Sequence, residues 1–236
     1  YIGSIPRRAV LPLALVGIMD HALSYGLSSA VPQDAGLSTY DLQLVFTGTP
    51  AAAGPMLVQA ATQLVSPGSG SIGATIHDAG GALIATAQAL FRVGSFPGGT
   101  APDLAQIGRY DPASASGPFL DLIGLTPVAG GVQLAPDNPA IIGWESSRVL
   151  HGGAIGALLM AAMEQQAAGD DGPVSSQRIA QIGIRYFRPA QSARPLIATS
   201  QIDRQGRGGS FLSAQCWHEE AAIVASGGGD NMMGAI

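Results

Sequence analysis

Two long apolar runs organise the chain. Residues 9–30 are apolar except mainly for Asp20, His21 and Ser24, with Pro12 where a first helical turn tolerates it. Residues 150–164 begin Leu150-His151-Gly152-Gly153 and continue as small and apolar residues to Met163 and Glu164. A helix apolar on every side belongs inside a protein, so both runs predict buried helices. Strand-like stretches follow each one. After the first come residues 37–46, with Leu42, Leu44 and Phe46 on one face, then 56–65, 71–77 and 82–93. Around the second come 128–135, 179–187, 196–204, 210–218 and 221–226. Gly and Pro clusters punctuate them: Pro32 to Gly36, Pro67 to Gly70, Asp78 to Gly81 and Gly169 to Pro173. Residues 119–125 read as a short helix, 141–150 as a lead into the second long helix, and Gly227 to Gly229 as the end of order.

The order of elements occurs twice. A shift of about 140 positions lays Asp20 on Met160, Phe46 on Tyr186 and Ala85 on Ala225. An internal repeat of this length predicts two like units, residues 1–95 and 118–236. Residues 96–117, rich in Pro, Gly, Ala and Ser without a period, join them as a linker. One helix per antiparallel sheet makes the class α+β. The first unit lacks a leading strand.

Composition narrows the classes. The 236 residues are 47% hydrophobic and 11% charged, enough apolar material for a sizeable core. Net charge is −5 without a basic run, which leaves nucleic acid no electrostatic footprint. Every basic residue is Arg, and with abundant Ala and Gly this points to GC-rich bacterial coding. The single Cys216 excludes an internal disulfide framework. No apolar run reaches the roughly 20 residues of a membrane span. Arg7 and Arg8 imitate a secretory leader, but no clear cleavage site follows, so a cytoplasmic location is expected. Gly68-Ser69-Gly70-Ser71-Ile72-Gly73 fits a dinucleotide-binding pattern, yet it lies between strands and reads as a hairpin turn. His77 and His218 lack ligand spacing, so no metal is expected.

The chemistry concentrates at His151-Gly152-Gly153. The first N–H groups of a helix have no internal partner, and the helix dipole makes that end positive. Such an end polarises a carbonyl oxygen or holds an anion, and glycines let ligand atoms approach. The plainer alternative is a Gly-rich helix start in a core. Asp20 is the other anomaly. A carboxylate in an apolar helix costs several kcal/mol unless it is bonded or functional, the alternative being a buried cap on a backbone N–H.

His-Gly-Gly opening into a small-residue apolar helix resembles the hotdog-fold acyl-CoA thioesterases of the 4-hydroxybenzoyl-CoA and phenylacetyl-CoA type. The resemblance implies two hotdog units, each a curved sheet wrapped around a central helix. It implies that Gly152, with His151 and Gly153 beside it, gives its N–H to the thioester carbonyl. It further implies a carboxylate nine residues after the His, acting as base or nucleophile from the other subunit. Here the ninth residue is Met160, whereas the first unit has Leu11-Pro12-Leu13 at the motif positions and Asp20 at the acid position. One unit keeps the donor and the other the acid. The expectation is a single composite site, Asp20 facing Gly152 across a cleft with room for a thioester, and a dead one where Pro12 faces Met160.

Some relatives carry a Ser eighteen residues after the acid, here Ser38, and an Asn or Gln six before the His, where this chain departs with Glu145. Trp144 is a candidate for the acyl pocket or for packing. His21 points about 100° away from Asp20 on a helix and is expected to be structural. The implied substrate is an acyl-CoA, with CoA as its carrier half and no cofactor. The implied assembly is a homodimer of double-hotdog chains, without nucleic acid or membrane. Two other readings stay open: a hotdog acyl-thioester dehydratase, and a non-catalytic acyl-CoA-binding protein.

Overall fold

The computed structural model describes residues 10–33, 35–48, 55–94, 123–144, 148–168, 177–207, 209–218 and 223–233. Its elements are α1 (Val10–Ser28), β1 (Gly36–Phe46), β2 (Leu57–Ser66), β3 (Ser69–His77) and β4 (Leu83–Gly94). Then come β5 (Leu125–Val128), β6 (Gly131–Leu134), β7 (Ile142–Trp144), β8 (Val149–Leu150) and α2 (Gly152–Ala168). Last are β9 (Gln177–Tyr186), β10 (Leu196–Gln205), β11 (Gly209–His218) and β12 (Ala225–Met233). The class is α+β. Ten strands form one antiparallel sheet in the order β2-β3-β4-β1-β9-β12-β11-β10-β6-β5, and β7 pairs with β8 alone.

The repeat survives at single-residue register. Phe46 pairs with Ala85, and 140 positions later Tyr186 pairs with Ala225. Ile76 and Cys216 stand beside the same two alanines from the other side. The units join where β1 meets β9, from Asp41↔Arg185 through Gln43↔Gly183 to Val45↔Gln181. That register is its own image under the 140-residue shift, as in a two-fold dimer. The helices obey the same symmetry. They cross antiparallel, Asp20 meeting Gly152 while Val16 meets Gly156, and Val16 and Gly156 are equivalent positions of the repeat.

Burial explains why both helices lack a polar face. All residues from Gly153 to Glu164 are buried, packed against β6 and β9 to β12 on one side and α1 on the other. α1 buries Leu13, Leu15, Val16, Met19, Leu23 and Leu27 against the first unit's strands.

Several stretches differ from expectation: Leu125 begins β5 rather than ending a helix, and the strand expected at 221–226 starts at Ala225. Residues 128–135 are not one strand: Ala129 and Gly130, the latter at φ +77°, turn the chain between β5 and β6. The lead-in at 141–150 contains the two short strands β7 and β8. Gly227 to Gly229 do not end the order but lie inside β12, between β9 and β11. Gly227 and Gly229 face α2, which comes close, while Gly228 is exposed on the opposite face. A Cβ on Gly227 would stand 3.2 Å from Met163 Cε, and one on Gly229 would stand 3.1 Å from Met163 Sδ. The proposed linker, 96–117, lies outside the described residues.

Candidate active site

The antiparallel crossing brings the acid of one unit to the motif of the other. Asp20 is 3% exposed. Its Oδ2 accepts the Gly153 N–H at 2.8 Å, and its Oδ1 accepts the Thr39 hydroxyl at 2.8 Å. A Cβ on Gly152 would stand 2.8 Å from Asp20 Oδ2, and one on Gly153 would stand 2.6 Å from Gly17 Cα. Both motif glycines are therefore required by close approach, the first by the carboxylate and the second by the facing helix. The same contact corrects one expectation: no substrate-wide gap separates carboxylate and motif, because Asp20 hydrogen-bonds the motif backbone directly. Asp20 does cap a backbone N–H, but one that lies 133 residues away.

The Gly152–Gly153 peptide is held from both ends. Tyr186 donates its hydroxyl hydrogen to Gly152 O at 2.9 Å, on the side opposite the Gly153 N–H. Burial, with Asp20 nearby, pushes the Tyr186 phenol well above its ordinary range, so it stays a donor. Gly152 N–H, the first of the helix, meets no acceptor among the described residues. Gly152 is partly exposed, and a first helical N–H of this kind can receive a carbonyl oxygen.

His151 Nδ1 accepts the Gly153 N–H at 3.1 Å and lies 3.5 Å from Asp20 Oδ2. Its Nε2 is 3.2 Å from His21 Nδ1. His21 is thus not the isolated structural residue that a single helix implies. It lies 100° round α1 from Asp20, and His151 reaches between the two from just before the other helix. Solvent lost around its ring, and then the neighbouring His151, lower the His21 pKa, with Asp20 opposing them.

Among the other candidates, Ser38 stands in β1 opposite Arg92, and the hydroxyl on Asp20 belongs to Thr39. A bulge between Thr39 and Asp41 shifts the strand's phase, turning Thr39 inward and leaving Tyr40 exposed. Trp144 ends β7. Glu145 lies outside the described residues. Cys216 is buried, and burial pushes its thiol up to about 12, so it remains protonated. His77 and His218 bond to hairpin and loop groups, His77 to Gly81 O and Thr75, His218 to Pro195 O and Gln191 N. Thr39, Tyr186 and His21 were missed by sequence reasoning. The one available signal was that Tyr186 carries a hydroxyl where its repeat equivalent is Phe46.

No curated protein matches the sequence. Among solved structures the chain is similar to the tesB protein of Mycobacterium avium subs paratuberculosis, at 12% identity and TM-score 0.63, over 92% of this chain and 86% of that one. It is similar to the acyl-CoA thioesterase II TesB2 of Mycobacterium marinum, at 13% identity and TM-score 0.60, over 92% and 89%. A hotdog-fold protein of Alicyclobacillus acidocaldarius aligns at 14% identity and TM-score 0.57, over 92% and 87%. These likenesses establish the hotdog fold. Two family models match the sequence itself. The acyl-CoA thioesterase C-terminal domain matches residues 6–93, and the acyl-CoA thioesterase N-terminal domain matches residues 141–228. The units thus stand in the reverse of the order those names imply. With both domain models matched and two hotdog units joined in one sheet, the chain belongs to the acyl-CoA thioesterase family, as a tandem hotdog hydrolase of thioesters.

Proposed function

We propose that the chain hydrolyses an acyl-CoA to free acid and CoA at one composite site, with Asp20 from the first unit and His151-Gly152-Gly153 from the second. The observation that carries this reading is the 2.8 Å bond from Gly153 N–H to Asp20 Oδ2. It joins the acid to the motif of the opposite unit. Gly152 N–H receives the thioester oxygen as it gains charge, with the start of α2 adding its dipole. Asp20 acts as general base on water. Both of its oxygens are already bonded, and direct attack would require the carboxylate to leave two charge-assisted hydrogen bonds. A carboxylate oxygen has lone pairs to spare, so a water can bind without that loss. The reaction needs no cofactor beyond the CoA of the substrate, and the chain works in the cytoplasm as a dimer whose sites are each complete within one chain.

Among the described residues no helix is long and apolar enough to cross a membrane. Single-turnover hydrolysis in H2(18)O tests the role of Asp20. A general base places 18O in the released acid on the first turnover. If the label appears in Asp20 and unlabelled acid is released first, Asp20 is the nucleophile. Absence of thiol release from a panel of aliphatic and aromatic acyl-CoAs would leave a binding protein.

A further inference from the structure

The polar groups of the site do not stop at Asp20. A line of ring nitrogens runs from the buried carboxylate to the surface. Asp20 Oδ2 lies 3.5 Å from His151 Nδ1, and His151 Nε2 lies 3.2 Å from His21 Nδ1. Exposure rises along it: Asp20 is buried, the His151 side chain is 24% exposed, and His21 is exposed. Each unit contributes, since His21 and Asp20 sit on α1 and His151 immediately precedes α2.

The hydrogen bonds set the resting tautomers. His151 Nδ1 accepts from Gly153 N–H, so its proton is on Nε2 and is given to His21 Nδ1. His21 then carries its own proton on Nε2. The groups facing His21 are His151 from the second unit, with Asp20 and Tyr25 on its own helix. The Tyr25 ring meets it edge-on at 4.5 Å. The lowered pKa of His21 keeps it neutral, and so able to accept, at neutral pH.

We propose that His21, acting through His151, relays to the protein surface the proton that Asp20 takes from water. This rests on the reading of Asp20 as a general base. The water O–H bond breaks as the new C–O bond forms, and Asp20 Oδ2 takes the proton. The C–S bond then breaks and leaves the thiolate. The proton passes from Oδ2 to His151 Nδ1 while the Nε2 proton moves to His21 Nδ1, and the His21 Nε2 proton leaves for solvent or for the thiolate. Both rings return to their starting tautomers by exchange with solvent. The 3.5 Å step is long for a hydrogen bond, as such steps commonly are before substrate binds. His21 is a positioning residue here, not one that touches the reacting carbon.

The test is turnover of His21→Ala and His21→Asn, with melting followed in parallel. His21→Ala should lose roughly tenfold in kcat, keep KM within about twofold, and melt like the parent. Added imidazole should restore part of the lost rate, because the position is open to solvent. His21→Asn can still accept from His151 but cannot carry a proton, so it should be as slow as His21→Ala. In both variants the acidic limb of kcat caused by protonation of His21 should vanish. Parental kcat in His21→Ala, a full rate in His21→Asn, or a loss that imidazole leaves untouched would each overturn the relay. Asp20→Asn separates the two readings. If it is inactive while His21→Ala is fully active, the relay alone fails; if it retains full turnover, the general-base reading fails.

Discussion

The two ends of the helix crossing are images of each other and have become chemical opposites. At one end stand His151, Gly152, Gly153, Asp20, His21, Thr39 and Tyr186. A shift of 140 positions turns them into Leu11, Pro12, Leu13, Met160, Ala161, Ile179 and Phe46. Every polar side chain has an apolar counterpart, and the Gly152 N–H, first of its helix, has a proline, which has no N–H. Leu13, Met160, Ala161 and Ile179 are all buried. The contrast follows from the cost of burying a carboxylate, which is several kcal/mol unless its hydrogen bonds are complete. One end meets that cost with Thr39 and the Gly153 N–H. The other avoids it by filling the same space with hydrocarbon. A fold with two equivalent helix ends can thus keep bonded polar groups at one and hydrocarbon at the other.

Four substitutions test the contrast, taken in order of their effect on turnover. Asp20→Asn should lower kcat about 100-fold or more, the scale of a lost general base, in a chain that still folds. Steady-state thiol release and circular dichroism measure both, and parental turnover in the folded variant would move the chemistry away from this end. Thr39→Val leaves Oδ1 of a buried carboxylate without its hydroxyl. It should cost about 1–3 kcal/mol in denaturant unfolding and lower turnover, whereas Ser38→Ala should stay within about 0.5 kcal/mol of the parent. Equal effects of the two would contradict the bulge-shifted phase of β1. Met160→Ala should cost about 2–5 kcal/mol of stability and leave turnover per folded molecule unchanged. A fall in turnover without a change in melting would mean that the apolar end also takes part in catalysis.

How much of this was legible in the sequence depends on where each signal resides. The helices were plain because apolar residues without a polar face mean burial whatever surrounds them. The repeat was plain because order and spacing are properties of the chain alone. Asp20 and the His-Gly-Gly motif stood out as a charge in an apolar run and as a glycine pair at a helix start. The resemblance pointed to Ser38 as a site residue, while the hydroxyl on Asp20 is that of Thr39, and the bulge at Tyr40 that sets the phase of β1 leaves little trace in the sequence. The three glycines of β12 read as a break because glycine usually marks a turn. For Gly227 and Gly229 the cause is the approach of Met163 from a helix more than sixty residues earlier in the chain, which no local pattern contains. His21 was set aside on the geometry of one helix, while its contact, His151, precedes the other.

The crossing of α1 and α2 carries one further consequence, at its centre. Val16 and Gly156 are the same position of the repeat and sit on the pseudo-two-fold axis, where a Cβ on Gly156 would come 2.5 Å from Val16 Cγ1. A dimer of identical chains must place one residue against its own copy there. Two valines would collide and two glycines would leave a gap. Once both units share a chain, the axis can take a large residue from one and none from the other. The Val–Gly match is then a lock and key. It favours the unlike pair over either like pair, and so favours the pairing that brings Asp20 to its motif.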